Sequence, residues 1–269
     1  MHSRYLSIRL IASLLLAHIL SASLAANAQQ GSKPPKRAAS ALEILQRTVD
    51  AAGGAKALAS VHDFTESGQV TFNYDDGVTG PITIRSLGTS RFRMDVDLSN
   101  EKKTWTVSNG RGTKTDENGK PVPLTNEQAV NLVNLTYPIA HVAMGLGDTA
   151  SDVTFVRIEQ RDGHSVYRLR ENGRLGLVDS TSKDALVVKE VIIDALTFDI
   201  VAIEDWAMSG SIGGAQGAPN RAILFGQFTA VKGIRIPFLV QTKLKGQETM
   251  SIRLTSVNFN SGLTDSDFK

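Results

Sequence analysis

Apolar and polar residues alternate along most of this chain, and this period of two constrains the fold more than any other feature of the sequence. Phe92, Met94 and Val96, for example, alternate with charged residues between Arg91 and Asp95. Successive side chains of an extended strand point to opposite faces of a sheet, which produces this pattern. Turn pairs such as Asn-Gly and Asp-Gly separate the alternating runs and favour antiparallel hairpins. We therefore predict a mainly β (α+β) fold with a single antiparallel sheet of about 10 to 11 strands.

The same alternation places strands throughout the second half of the chain. Their predicted bounds are Val153 to Ile158, Ser165 to Arg170, Leu175 to Asp179, Leu186 to Ile193, Thr197 to Asp205, Ala222 to Thr229, Ile234 to Leu244 and Thr249 to Val257. The stretch from Ser209 to Ala218 is rich in glycine and is predicted to be a loop.

Two segments depart from the alternation and are predicted to be helices. Ser40 and Glu43 form a capping-box pattern ahead of apolar residues that recur every three or four positions, and Gly53 supplies a stop. Thr125 and Gln128 repeat the capping-box pattern ahead of the second helix. Because a helix must bury its apolar stripe, we expect both helices to pack across one face of the sheet.

The first 28 residues have the layout of a cleavable signal peptide. A short basic start leads into an apolar run from Leu10 to Leu20, and small residues follow at Ala26 and Ala28. This run is much shorter than the about 20 apolar residues that a membrane-crossing helix needs. We expect export and cleavage after Ala28, and the alternative is an uncleaved N-terminal anchor. Residues 29–39 are predicted to be a flexible leader, and residues 40–269 a single domain.

Cysteine is absent, and the charges of the mature chain balance. No disulfide can form and no lipid can be attached to an N-terminal cysteine, so we expect a soluble protein. The signal peptide holds two of the 29 basic residues and no acidic residue, which leaves 27 basic residues against 27 acidic ones. This balance argues against nucleic acid and against an anionic membrane surface as partners.

The sequence carries no motif of catalysis or of metal binding. The histidines of the mature chain, His62, His141 and His164, are far apart, and no zinc-ligand spacing occurs. The Gly-rich stretch 209–218 lacks the spacing of a serine-hydrolase motif and the Lys-Ser/Thr pair of a phosphate-binding loop. We predict that the protein is not an enzyme and uses neither a metal nor a cofactor.

One face of the first strands is rich in large apolar side chains that need a cover. Phe72, Phe92, Met94 and Trp105 share one phase of the alternation. If the helices fill the sheet, these side chains form an ordinary core. If the helices fill it only partly, a cavity for acyl chains is left, with methionine adapting to the shape of the ligand. The residues themselves leave both interpretations open.

A series of short motifs runs through the domain in a fixed order. They are AAGGAKAL at 51–58, Gly68-x-Val70-x-Phe72, SRFRMD at 90–95, Phe225-Gly-x-Phe228, VKGIRIPF at 231–238, VNFN at 257–260 and Phe268. Together with the signal peptide, they resemble bacterial outer-membrane lipoprotein-sorting proteins, the LolA/LolB-like superfamily. The resemblance covers nearly all of residues 40–269.

The resemblance implies a strongly curved, unclosed half-barrel sheet with the two main helices packed on its concave face as a lid. A hydrophobic small molecule, a lipid or the acyl chains of a lipoprotein would bind beneath them. The residues expected to line this apolar cavity are Val70, Phe72, Phe92, Met94, Trp105, Leu132 and Val133.

The resemblance also implies a role for an arginine. In the carriers of this superfamily, an arginine that follows an early strand bonds to the lid helices. Arg85 is the nearest match by position, and Arg91 and Arg93 are alternatives.

The leading hypothesis is therefore a soluble, monomeric periplasmic protein that binds or carries an apolar ligand and is not integrated in the membrane. The alternative is a non-catalytic interaction or scaffold domain with a filled core, whose partner would be another envelope protein.

Overall fold

The computed structural model of the chain describes residues 39–73, 77–88, 91–99, 101–108, 111–125, 128–129, 132, 135, 152–174, 186–205 and 220–269. Its helices are α1 (Ala39–Ala51) and α2 (Ala55–Ala59), and a 3-10 helix covers Asp265–Phe268. Its strands are β1 (Asp63–Phe72), β2 (Val78–Leu87), β3 (Arg91–Leu98), β4 (Glu101–Ser108), β5 (Arg111–Thr115), β6 (Pro121–Pro123), β7 (Asp152–Arg161), β8 (His164–Arg174), β9 (Leu186–Asp194), β10 (Ile200–Asp205), β11 (Arg221–Val231), β12 (Ile234–Leu244) and β13 (Gln247–Phe259).

The strands form one antiparallel sheet of 13 strands in the order β6-β5-β4-β3-β2-β1-β13-β12-β11-β10-β9-β8-β7. All consecutive strands are neighbours except β6 and β7, which form the two edges. The last strand, β13, pairs with β1 in the middle of the sheet. The fold therefore consists of two meanders joined along β1 and β13, and residues 124–151 connect the edges.

The join between β1 and β13 is fixed at its end by one carboxylate. Asp63 accepts hydrogen bonds from the backbone N–H of Ser261 at 2.7 Å and of Gly262 at 3.1 Å. Burial alone would raise the pKa of Asp63, but a hydrogen bond from the Ser261 hydroxyl at 2.7 Å and those from the two N–H groups outweigh it and hold the pKa below its ordinary value. The pairing brings Val70 opposite Ile252, both of which are buried.

Helix α1 places an apolar stripe on the sheet, as the sequence predicts. Ala41, Leu45 and Val49 are buried in the main core. The capping-box interpretation requires Ser40 to precede the helix. The helix begins at Ala39, so Ser40 lies inside its first turn and this part of the prediction is wrong.

The end of α1 fits tightly against the β11–β12 turn. Gly53 has φ +121°, and a Cβ atom at this position would lie 2.5 Å from the carbonyl oxygen of Gly233. Beside it, the carbonyl oxygen of Ala52 accepts a hydrogen bond from the N–H of Arg235 at 3.0 Å. Only glycine allows both the backbone conformation and this close approach.

One large apolar cluster covers the face of the sheet on which α1 packs. It takes in buried side chains such as Ile84, Phe92, Leu169, Ile236 and Ile252. A smaller cluster of Val166, Ile192 and Ala202 alternates with it in sequence and therefore lies on the opposite face.

The predicted fold class is confirmed: the sheet is single, antiparallel and unclosed among the residues described above. It has 13 strands, against the 10 to 11 predicted. The sequence pattern missed β5, because Arg-Gly-Thr-Lys-Thr contains no large apolar residue to alternate. The strand predicted at Leu175 to Asp179 lies outside the described residues.

The prediction of two main helices is supported in part. The first is α1. For the second, Gln128, Ala129 and Leu132 are helical, and most of its other predicted residues fall outside the described ranges. None of the helices that the structure describes is both long and apolar enough to cross a membrane.

Candidate ligand cavity

A cavity of about 490 Å³ lies between the sheet and the segment that follows β6. Its apolar lining consists of Trp105, Leu124, Leu132, Leu135, Ile223, Leu244 and Met250. The polar residues of the lining are Lys114, Gln128, Arg221, Thr242, Lys243 and Thr249. A volume of this size is within the range of about 300–1,000 Å³ that is typical of small-molecule sites.

The part of the chain that covers this cavity is named here the connecting segment and comprises the described residues Leu124, Thr125, Gln128, Ala129, Leu132 and Leu135. Its helix begins at a capping box, as the sequence predicts. Gln128 Oε1 accepts a hydrogen bond from the N–H of Thr125 at 3.0 Å. In return, Thr125 Oγ1 accepts one from the N–H of Gln128 at 3.2 Å. These reciprocal bonds satisfy two N–H groups that a helix start leaves without partners.

The connecting segment is seated on β5 at a glycine. The N–H of Leu124 donates to the carbonyl oxygen of Gly112 at 2.8 Å. A Cβ atom on Gly112 would lie 2.8 Å from Leu124 Cδ1 and 3.2 Å from the Cβ of Ala129. The absence of a side chain at Gly112 therefore lets the segment approach the sheet closely.

Curvature of the sheet brings distant strands to the same cavity. Trp105 lies on β4 and Ile223 on β11, six strand steps apart in the sheet order. At a spacing of about 4.8 Å, these strands would be about 29 Å apart in a flat sheet. Twist and curl bring both of them under the connecting segment.

The cavity reaches solvent on its polar side. Lys114 is exposed, and 41% of the Leu244 surface is accessible. Lys114 is the cross-strand partner of Trp105, so the two side chains share one face of the sheet. Arg221 is partly buried and donates from Nε to Asp205 Oδ1 at 2.7 Å.

The predicted cavity residues divide into two groups. Trp105 and Leu132 line the cavity. The other described ones, Val70, Phe72, Phe92 and Met94, are at most 6% exposed and belong to the packed core. Val133 lies outside the residues that the structure describes.

Sequence reasoning missed the lining residues of the second meander. Ile223, Thr242, Leu244, Thr249 and Met250 belong to strands that were predicted correctly as strands. Their place in the cavity depends on the strand order, which brings β11 to β13 next to β1. The start of the helix in the connecting segment was easier to predict than these lining residues, because the capping box at Thr125 fixes where the helix begins.

The three predicted lid-locking arginines have other partners in the structure. Arg85 Nη1 and Arg93 Nε bind Asp95 at 2.6 Å and 2.9 Å, respectively. Arg91 Nε pairs with Asp265 at 3.0 Å. Each arginine alternates with buried residues such as Phe92, which places it on the face of the sheet opposite the main core.

Arg91 and Arg93 also hold the C-terminal 3-10 helix. Arg93 Nη1 donates to the carbonyl oxygen of Lys269 at 2.7 Å, and Phe268 is 5% exposed. Burial would raise the pKa of Asp95, but hydrogen bonds from Arg93 and Thr104 outweigh it and keep this pKa below its ordinary value. The arrangement anchors the end of the chain on β3.

A second ionic network covers β7 to β10 on the face opposite the main core. Arg168 donates from Nε to Glu159 at 3.1 Å and from Nη1 to Glu204 at 2.7 Å. It also bonds to Glu190, whose side chain is 4% exposed. Burial would lower the pKa of Arg168, but the hydrogen bonds to these carboxylates raise it above its ordinary value.

One carboxyl group is buried in the core itself. Glu66 is 3% exposed and lies on β1 between Ile84 of β2 and Val257 of β13. Burial raises the pKa of Glu66 from 4.5 to about 8. A neutral carboxylic acid is therefore the form that this site favours at neutral pH.

Among the described residues, no group of three or more His, Asp or Glu side chains is arranged so that it could hold a metal ion.

No family model and no curated protein matches this chain in sequence. Solved structures match its fold. A LolA superfamily protein from Nitrosomonas europaea has 12% sequence identity and a TM-score of 0.56, over 85% of this chain and 97% of that one. A domain named for outer-membrane lipoprotein sorting, from Vibrio parahaemolyticus, has 11% identity and a TM-score of 0.54, over 86% and 96%.

A DUF1329 family protein from Desulfovibrio piger is similar to the same extent. It has 11% identity and a TM-score of 0.53, over 84% of this chain and 97% of that one. At such identities the likeness concerns the fold, and for the fold the predicted resemblance to LolA-like proteins is confirmed. Each of these matches covers most of this chain and most of the solved structure.

Proposed function

We propose that this protein binds or carries an apolar ligand, such as a lipid, another amphiphile or the acyl chains of a lipoprotein, in the cavity under the connecting segment. The observation that carries the proposal is the cavity of about 490 Å³ with seven apolar lining residues. Apolar lining that stays in contact with water costs free energy, and a bound apolar group that covers it would recover this cost. The shared LolA-like fold supports the same proposal. Catalysis is not part of it.

The test is native mass spectrometry with lipid extraction of the protein purified gently from a periplasmic fraction. The proposal expects a stoichiometric amount of one lipid or lipidated class in the wild type. Leu132→Glu should lose this ligand, because it places a carboxylate in the apolar lining. Leu196→Glu is the matched control, since Leu196 is 86% exposed and lies away from the cavity. A ligand-free wild type that also ignores added amphiphiles would overturn the proposal.

The compartment belongs to the same proposal. The sequence of residues 1–28 supports export and a soluble mature protein that begins at Gln29. Intact-mass measurement of the periplasmic protein tests this. A mass that includes the first 28 residues, together with recovery in the membrane fraction, would favour the uncleaved anchor.

A second function is favoured by a different observation. Val70, Phe72, Phe92 and Met94 are fully packed, as expected of an envelope interaction or scaffold domain with a filled core. Crosslinking in intact cells distinguishes the two functions, because a scaffold yields one protein partner in the wild type and equally in Leu132→Glu. A carrier yields a ligand that this variant loses.

A further inference from the structure

The cavity has an exposed end and a buried end. On β12, Thr242 and Leu244 line it, and Leu244 is the exposed one of the two. On β11, Arg221 and Ile223 line it, and Ile223 is buried. Arg221 is the cross-strand partner of Leu244, and Ile223 is that of Thr242. An apolar chain that enters beside Leu244 is therefore directed toward the row of Ile223.

The next row on the same face of the sheet closes the buried end. Residues two positions apart on a strand share a face, so Phe225 follows Ile223 in this direction. Phe225 pairs with Val240, and Val240 pairs with Ile252. These three residues, named here the floor of the cavity, are at most 5% exposed and belong to the main core.

Neighbouring strands close the cavity in the same way. On β1, Val70 is the cross-strand partner of Ile252 and is buried. On β4, Val107 lies two positions beyond the lining residue Trp105 and is also buried. Within the described part of the chain, the cavity thus ends against packed side chains on both meanders.

The volume of the cavity limits how many acyl chains it can hold. An apolar cavity of about 150 Å³ accommodates one molecule of benzene, which has six carbon atoms. At the same density, the cavity of about 490 Å³ holds about 20 carbon atoms. Two tetradecanoyl chains would need about 700 Å³. The space therefore fits one such chain and not two.

We infer that the ligand is an amphiphile with a single acyl chain of up to about 20 carbon atoms, and that Phe225 in the floor limits the length of this chain. Fatty acids and lysophospholipids belong to this class, whereas lipids with two or more long chains do not. The methyl end of the chain lies against the floor, and the headgroup lies near Leu244, where the cavity reaches solvent. This inference rests on the proposed function and names the class of ligand for the same cavity.

The first test counts the chains that bind. Native mass spectrometry of the delipidated mature protein with excess tetradecanoate, kept below its micelle concentration, should show one bound molecule per protein. Tetradecanoyl lysophosphatidylcholine should give the same count, which separates the effect of the chain from that of the headgroup. Two bound tetradecanoate molecules per protein would overturn the single-chain ligand while the proposed function stands.

The second test measures the length of the chain. Displacement of a bound fluorescent fatty acid gives the affinities of a series from decanoate to tetracosanoate. The affinity should rise by about 4-fold for each methylene group that becomes buried. It should rise no further beyond about 20 carbon atoms. A rise that continues to tetracosanoate would overturn the limit on chain length.

Variants assign this limit to the floor. Phe225→Leu removes side-chain carbons from the floor and should lengthen the limit by about three carbon atoms. Ile223→Phe adds side-chain carbons above the floor and should shorten the limit by about three. Phe64→Leu makes the first replacement in the main core near the start of β1 and should leave the limit unchanged. An affinity for decanoate equal to that of the wild type shows that each variant is folded.

The remaining results separate this inference from the proposed function. A limit that stays the same in Phe225→Leu and in Ile223→Phe, or that moves equally in Phe64→Leu, overturns the role of the floor, and the proposed function stands. Failure of both the fatty acids and the lysophospholipid to bind overturns the proposed function and this inference with it.

Discussion

At the scale of single residues, Glu66 is the group whose environment differs most from water. Its carboxyl lies in the core beside Ile84 and Val257, and burial raises its pKa from 4.5 to about 8. Between these values the folded protein holds a proton that the unfolded chain has released. The stability that this group contributes is therefore fully present below pH 4.5 and is lost as the pH rises to about 8.

The variant Glu66→Gln removes this titration. We expect its free energy of unfolding, relative to the wild type, to rise by on the order of 4 kcal/mol between pH 4.5 and 8. Urea unfolding at a series of pH values measures it. Glu117→Gln, at an exposed turn, is the control and should follow the wild type. A flat difference for Glu66→Gln across this range would show that Glu66 is ionised in the folded protein.

Arg168 illustrates the cost of breaking a buried ionic network. Replacement by alanine would remove the one arginine that contacts Glu159, Glu190 and Glu204 together, and would leave each carboxylate with a single, more exposed arginine partner. We expect Arg168→Ala to lose about 2–3 kcal/mol of unfolding free energy, because charge-assisted hydrogen bonds to a buried carboxylate are lost while part of the compensation remains. Chemical denaturation measures this. Arg157→Ala, at a side chain that is 56% exposed and also contacts Glu159, should lose less than about 1 kcal/mol. Equal losses would contradict this account of the network.

The arginines of β3 show what local pattern can predict. Arg91 and Arg93 alternate with Phe92 and Met94, and this alternation alone places them on the face away from the core. The resemblance suggested contacts with helices on the core face, and the structure instead gives them Asp95 and the C-terminal helix. Where a sequence resemblance and the period of a strand disagree, steric direction along the strand decides.

At the scale of secondary-structure elements, the connecting segment covers the cavity and supplies four of its lining residues. It is held to β5 at Gly112, where a Cβ atom would lie 3.2 Å from the Cβ of Ala129. This is slightly shorter than the about 3.5–4.5 Å that a disulfide spans, and the same Cβ atom would lie 2.8 Å from Leu124 Cδ1. A disulfide therefore requires the Leu124 side chain to rotate and the segment to shift by a few tenths of an ångström. The chain has no cysteine of its own to interfere.

We expect Gly112→Cys combined with Ala129→Cys to hold the connecting segment closed when oxidised. Release of a bound fluorescent fatty acid should then be at least about 10-fold slower than in the reduced form, because exchange requires the segment to move. Stopped-flow displacement measures the rate. Ala129→Cys alone should show no dependence on reductant. Equal rates in the oxidised and reduced double variant would mean that ligands enter without movement of this segment.

Two elements were predictable from a local signal, although the similar capping-box pattern at Ser40 did not mark the start of α1. The alternation of β3 and the capping box at Thr125 need only a few neighbouring residues, and both were read correctly. The cavity lining was not, because Ile223 and Met250 meet Trp105 only through the order and curvature of 13 strands. Pairing between strands that are distant in sequence leaves no trace in either strand alone.

At the scale of the whole molecule, the two edges of the open sheet are protected unequally. Strand β6 is three residues long and begins and ends with proline, which blocks further pairing. Strand β7 has ten residues, a register shift near Phe155 and an exposed Ile158 that is 58% accessible. Bulges discourage edge pairing, but an exposed apolar side chain favours it.

We expect Ile158→Lys to reduce aggregation of the protein on heating. The midpoint of thermal unfolding should change by no more than about 2 °C, because an exposed position contributes little to stability. Light scattering recorded along with circular dichroism separates the two effects. Thr113→Lys, an exposed position on β5, controls for the added charge. Unchanged aggregation of Ile158→Lys would indicate that β7 is already shielded.

The join between β1 and β13 also governs when the molecule can fold. His62 and Asn260, bonded at 2.8 Å, are 198 residues apart in the chain. A chain that emerges from a ribosome or a translocation channel can form the hairpins of its first meander early, but one side of β1 stays without a neighbour until nearly the whole polypeptide has appeared. Contacts of such long range slow folding. The topology thus keeps the growing chain incompletely folded during synthesis, which is the condition that a secretion machinery requires of the chains it threads across a membrane.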